Sequence, residues 1–118
     1  MRSLLEFPRI YLFRPFADMR KQMHGLSLLV QAEMGQNPFE DALFVFCNKR
    51  RELLKCLYWD KTGFAMWVKK LDEEKFPWPK KFVDEVITLE PRQLEWLLSG
   101  IDIWKVKRHS PLSFNKVF

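Results

Sequence analysis

The chain has 118 residues, a common size for one domain, and 47% of them are hydrophobic, enough for a single core. Of its net charge of +5, four cations (Lys105, Lys107, Arg108 and Lys116) follow Asp102 with no acid among them, so residues 1–102 are nearly balanced, a general basic field does not follow, and any positive face must come from local clustering. No apolar run approaches the roughly 18 residues of a membrane span, and Glu6, Pro8, Arg9 and Arg14 interrupt the stretch where a signal peptide needs an apolar core, so a cytoplasmic protein is expected.

RIYLF at 9–13 is β-branched, aromatic or aliphatic and predicts a strand. Asp18 is suited to cap a following helix, whose apolar stripe is Met19, Met23, Leu26 and Val30. Gly25 in that helix implies close packing against a sheet, and Gly35, Asn37 and Pro38 stop it. Three short apolar runs follow, LFVFC at 43–47, ELLKCLYW at 52–59 and FAMWVKKL at 64–71, which predict a three-stranded meander. DKTG at 60–63 has the composition of a hairpin loop closing on a left-handed glycine. Alternation sets Arg51, Leu53, Lys55, Leu57 and Trp59 on one face of the middle strand, and Glu52, Leu54, Cys56 and Tyr58 on the other. The two prolines of KFPWPKKF make residues 75–82 a connector or an edge. VITL at 86–89 adds a last short strand. Pro91 then opens a helix with Leu94, Leu97, Leu98 and Ile101 as its apolar side and Gly100 as its end.

The expected fold class is α+β: an antiparallel β-meander sheet of four to five strands, packed by one long N-terminal helix and a short C-terminal helix. Residues 1–103 form the single domain and 104–118 a basic C-terminal tail.

Cys47 and Cys56 form no CxxC pair and, with only His24 and His109, give no metal-ligand set at zinc-site spacing. No metal or other cofactor is expected, and both thiols should be reduced and buried. No nucleophile elbow, phosphate-cradling glycine loop or Cys-His-Asp arrangement is present, and the acids fall at cap and turn positions, so no catalytic residues and no small-molecule substrate are expected.

The chemistry the sequence does carry is cationic. Lys49, Arg50, Arg51 and Lys55 lie around the first meander turn, and pairing of the next strand brings Lys69 and Lys70 to the same end. Arg20 and Lys21, at the start of the first helix, sit where the helix dipole disfavours positive charge, so they are candidates to join the patch. Such a patch attracts phosphates without regard to base sequence. Against this stands the reading that the tip of a hairpin is simply polar and that strand lysines block edge pairing. Tyr58, Trp59, Trp67 and Trp78 are candidates for stacking on bases, although such aromatics are more commonly core.

Taken in order, ADMRKQMHGLSLLV, NPFEDALFVFCNKRRELLKCLYWDKTGFAMWVKKLDEEKFPWP and ITLEPRQLEWLLSGID resemble the TnpB accessory proteins of IS66-type bacterial insertion sequences, which are distinct from the larger RNA-guided nuclease of the same name. The resemblance spans about Arg9 to Asp102. It departs from the family pattern at Lys70, Glu74, Glu90 and the Glu40-Asp41 pair. It implies a non-enzymatic factor in DNA transposition whose partners are the element's transposase, a further accessory protein, and DNA. The rival expectation is a protein-interaction module that binds the transposase through exposed aromatics around FPWP and touches no DNA.

Overall fold

The computed structural model describes residues 3–80 and 84–106. A 3-10 turn at Leu4–Glu6 leads into β1 (Ile10–Phe13), α1 (Met23–Ala32), β2 (Leu43–Cys47), β3 (Leu53–Asp60), β4 (Gly63–Lys70), β5 (Val86–Leu89), α2 (Pro91–Leu98) and a single turn, α3 (Ile103–Val106). The five strands form one sheet in the order β4-β3-β2-β1-β5.

The expected α+β class and the β2-β3-β4 meander are present, but the sheet is mixed. β1 runs parallel to β2, with Ile10 opposite Leu43 and Leu12 opposite Val45, while every other pairing is antiparallel. Parallel neighbours need a crossover, and α1 is that crossover. With ten residues it is comparable to the eight-residue α2 and is not the long helix expected. β5 closes the sheet beside β1, so the last strand in sequence pairs with the first.

Both faces of the sheet are covered. On one side α1 packs Leu26, Leu29 and Val30 against Phe13, Phe44, Phe46 and Leu57. On the other, α2, α3, the N-terminal turn and the 76–78 segment cover Ile10, Leu12, Val45, Cys56 and Tyr58 with Phe7, Phe76, Leu94, Leu97 and Ile103. β2 lies between the two layers and is buried at all five positions, which accounts for its unbroken apolar sequence.

Several local expectations shift. The stripe that anchors α1 is Leu26, Leu29 and Val30 with Met34, whereas Met23 is exposed. Asp18 does not cap this helix: the N-cap is Gln22, with no side-chain bond. Gly25 makes room for its neighbour one turn back and not for the sheet, since a Cβ there would lie 3.2 Å from the Lys21 Cβ. Gly35 takes φ 66° and allows Gln36 N–H to reach back to Val30 O at 3.2 Å, which ends the helix. Glu90, in place of the usual short cap residue, is held by Gln93, whose Oε1 accepts the Glu90 N–H at 2.8 Å. Gly100 ends α2 in the left-handed conformation at φ 88°, but Ile101 lies beyond the helix and is exposed. In the Asp60–Gly63 turn the left-handed residue is Lys61, with φ 56°, and not Gly63.

A side chain with a Cβ in this region costs roughly 1–2 kcal/mol. Part of that cost is offset by the greater freedom glycine has when unfolded. Lys61→Gly is therefore expected to stabilise the fold by about 0.5–1 kcal/mol, to be read as an increased urea midpoint with an unchanged m-value.

Candidate nucleic-acid interface

The turn joining β2 to β3 is organised by Asn48. Its backbone carbonyl accepts from Arg51 N–H at 2.9 Å, and its Oδ1 accepts from the amides of Glu52 and Leu53 at 3.0 and 3.1 Å. Arg51 closes the turn with φ 60°. Its carbonyl accepts from Phe76 N–H at 2.7 Å, and the Arg50 carbonyl accepts from Lys75 Nζ at 2.8 Å. The backbone of Lys49, Arg50 and Arg51 is thus held from both sides. Lys49 and Arg50 are exposed, Arg51 is half-exposed, and none of the three makes an ion pair with a described residue.

Three contacts bring the segment before α1 to the same end of the sheet. Ala17 N–H donates to Cys47 O at 2.9 Å, and Lys55 Nζ donates to Met19 O at 3.0 Å and Lys21 O at 3.4 Å. Lys55 is 9% exposed. Its ammonium is an internal strut binding the 17–21 loop to β3, which differs from the solvent-facing role that the spacing suggests. In that loop Asp18 turns the chain by accepting from Arg20 N–H at 3.0 Å, and its carboxylate receives the Arg20 guanidinium, with Nη2 to Oδ2 at 2.7 Å. Those hydrogen bonds hold the Asp18 carboxyl well below the ordinary carboxylate range and raise Arg20 further. Lys21 is exposed and has no ion-pair partner among the described residues.

The two β4 lysines separate. Lys69, opposite Leu54, points to the α2 side of the sheet, where its Nζ donates to Leu98 O at 3.1 Å and closes the carboxyl end of that helix. Lys70, opposite Leu53, is exposed. The structure therefore gathers Lys49, Arg50, Arg51, Lys70 and Lys21 at one end of the sheet, places Arg20 there already paired, and commits Lys55 and Lys69 to carbonyls on opposite faces. Lys75 belongs to this end as well. Its position after the acids Asp72, Glu73 and Glu74 conceals it in the sequence, and only the contact between residues 71–76 and the 48–52 turn reveals it.

The aromatic candidates are mostly structural. Tyr58 is buried edge-on against Phe7, with ring centroids 5.0 Å apart. Trp67 is partly buried against the core. Trp78 is buried, and its Nε1 donates to Arg14 O at 2.8 Å. With Phe76 also buried, the FPWP segment offers no exposed aromatic surface. Trp104, expected in the tail, donates its Nε1 to Pro77 O at 3.0 Å; tail residues 107–118 lie outside the described residues. Half-buried Trp59 instead meets Phe64 and exposed Phe39 at the opposite end of the hairpin, with centroid separations of 5.0–5.5 Å. Among the described residues no group of three His, Cys, Asp or Glu side chains is placed to hold a metal ion, and no helix is long and apolar enough to cross a membrane.

A family model described as IS66 Orf2 like protein matches residues 8–108. The chain belongs to the IS66 Orf2-like family. Two relatives from Sinorhizobium fredii carry the names uncharacterized protein y4hO and uncharacterized protein y4jC. The first is 37% identical over 82% of this chain and 83% of its own length, and the second 35% identical over 77% of each. No solved structure matches the chain. Membership of the IS66 Orf2-like family indicates an accessory role in transposition of an insertion sequence, in association with the element's transposase.

Two expectations follow from the buried polar groups of this IS66 Orf2-like chain. Lys55→Met retains the aliphatic stem but removes two charge-assisted bonds, and should lower stability by about 1–3 kcal/mol in denaturant titration. Burial pushes the Cys47 thiol up to about 12 and Cys56 up as well. The unfolded thiols ionise near pH 8.5 while the folded ones stay protonated, so stability is complete below that pH and falls as pH rises above it, by up to about 1.4 kcal/mol per unit for each thiol. Equilibrium unfolding between pH 7 and 10 measures this, and replacing both cysteines with alanine should flatten the decline.

Proposed function

We propose that this protein is a non-enzymatic accessory factor of insertion-sequence transposition that contacts DNA phosphates through the basic end of its sheet and assists the transposase there. The observation that carries the reading is the convergence of exposed Lys49, Arg50, half-exposed Arg51, Lys70 and Lys21 from three separate segments, on a backbone held by Asn48, Lys55 and Lys75. Rigid placement limits the side-chain and loop entropy lost on binding. α1 starts directly after Lys21 without a side-chain cap, so the partial positive charge of its first turn adds to the same surface. Exposed Asp72, Glu73 and Glu74 adjoin the turn through the 71–76 segment, so acids border the positive area. The contact on this reading is to backbone phosphates, and base selection falls to the transposase.

A second reading, binding to the transposase without DNA, draws on Phe39, which is 55% exposed while packed on Trp59 at the far end of the hairpin.

Titration of duplex DNA carrying the element's ends, followed by fluorescence anisotropy at several salt concentrations, separates the two. Lys49→Ala with Arg50→Ala should weaken binding and reduce the log–log salt slope by roughly 1.8, the value for two phosphates no longer neutralised. Unchanged affinity and slope would reject the turn as a contact, and loss of binding only on removal of residues 107–118 would assign it to the tail. Transposase capture that survives the lysine and arginine changes but is lost with Phe39→Ser, in the absence of any DNA binding, would establish the second reading.

A further inference from the structure

We infer that the free edge of β4 is a self-association site at which a second copy of this chain pairs antiparallel, joining two five-stranded sheets into one. β4 is the long edge of the sheet, eight residues paired only to β3, and the register from Leu53–Lys70 to Asp60–Gly63 runs without a bulge. Asp60 and Gly63 flank a two-residue turn and therefore form a hydrogen-bonded pair. Alternation from there aims the N–H and C=O groups of Phe64, Met66 and Val68 away from β3. None of these three residues has a backbone partner on that outer side among the described residues.

Edge strands are ordinarily protected by a charge, a proline or a bulge. Residues 64–68 have none of these. Lys69 is turned to the α2 face and bonded to Leu98 O, and Lys70 stands at the strand's end. The other edge, β5, is four residues long, with Glu85 before it and Glu90-Pro91 after it. The side chains of Phe64, Met66 and Val68 all project to the α1 side, and Val68 is 49% exposed. Unpaired backbone groups and incompletely covered apolar side chains thus coincide on the same three residues.

The occupant that this edge fits is its own copy. A twofold axis through Met66 sets Met66 against Met66 and Phe64 against Val68, leaving a wholly apolar centre. The same register puts Lys70 opposite Thr62 of the second copy, and no two like charges face each other between Thr62 and Lys70. An isologous contact of this kind closes at two copies.

Sedimentation equilibrium of the full chain, from low micromolar to several hundred micromolar, should show reversible conversion from monomer to dimer, with the amides of Phe64, Met66 and Val68 slowing in hydrogen exchange over the same range. Val68→Lys changes an exposed side chain and Val68→Pro removes an N–H not used by β3. Each should weaken dimerisation by more than about tenfold while leaving circular dichroism and thermal midpoint close to those of the parent. If the proline variant fails to fold, the lysine variant alone decides. A protein that stays monomeric throughout, a dimer in which those three amides exchange as fast as in dilute solution, or a folded Val68→Lys variant that dimerises like the parent would each overturn the inference.

Discussion

The parallel pairing of β1 with β2 is the constraint from which the remaining architecture follows. Two parallel strands cannot be joined by a tight turn, so the intervening chain must cross one face of the sheet and return. α1 performs that crossing and seals one face with Leu26, Leu29 and Val30. The opposite face would then be open, and it is closed by elements from both ends of the chain: Phe7 from the start, and Phe76, Leu94, Leu97 and Ile103 from the later part. β2 has apolar neighbours above and below and strands on both sides. β5 completes the arrangement by pairing with β1, which makes the C-terminal third of the fold dependent on the first strand.

Covering both faces leaves backbone carbonyls at the ends of segments that need donors, and a lysine meets that need on each face. Lys55 serves Met19 and Lys21 on the α1 side, and Lys69 serves Leu98 on the α2 side. An ammonium is costly to bury unless its donors are matched, and a carbonyl is a suitable match without a counter-charge. Some of the positive charge of this protein is therefore structural material. The cations left in solvent include Lys49 and Arg50 on the turn that Asn48 secures, Lys21 in the loop that Lys55 secures, and Lys70 at the end of β4. The same bonds that remove Lys55 from solvent tie the exposed Lys21 to β3, so one internal strut contributes to the electrostatic surface without facing it.

The hairpin β3-β4 consequently has two chemically different ends and one open side. Its basic end carries the turn cations and the acids of the 72–74 loop, its far end carries Trp59, Phe64 and Phe39, and its outer edge carries unpaired amides beside apolar side chains. Spatial separation of these features keeps the proposed phosphate contact, partner contact and strand addition from competing for one surface. Such separation suits a protein whose family membership implies association with the element's transposase.

Local patterns by themselves determined much of this protein. The short apolar runs at 43–47, 52–59 and 64–71, the VITL strand, the start of α2 at Pro91 and its end at Gly100, and burial of both thiols all follow from residue type and spacing, because those features depend on neighbours along the chain. The family resemblance was likewise legible, since it rests on the order of short blocks. What only the tertiary structure decided were relations between distant segments: that β1 lies parallel to β2, that β5 joins β1, that Lys55 and Lys69 point to opposite faces and end on carbonyls, and that Lys75 approaches Arg50. Spacing tells which side of a strand a side chain leaves from, but not what stands across from it. A lysine destined for a loop carbonyl and one destined for solvent have the same sequence signature, and their difference arises only when the partner's backbone is brought within about 3 Å.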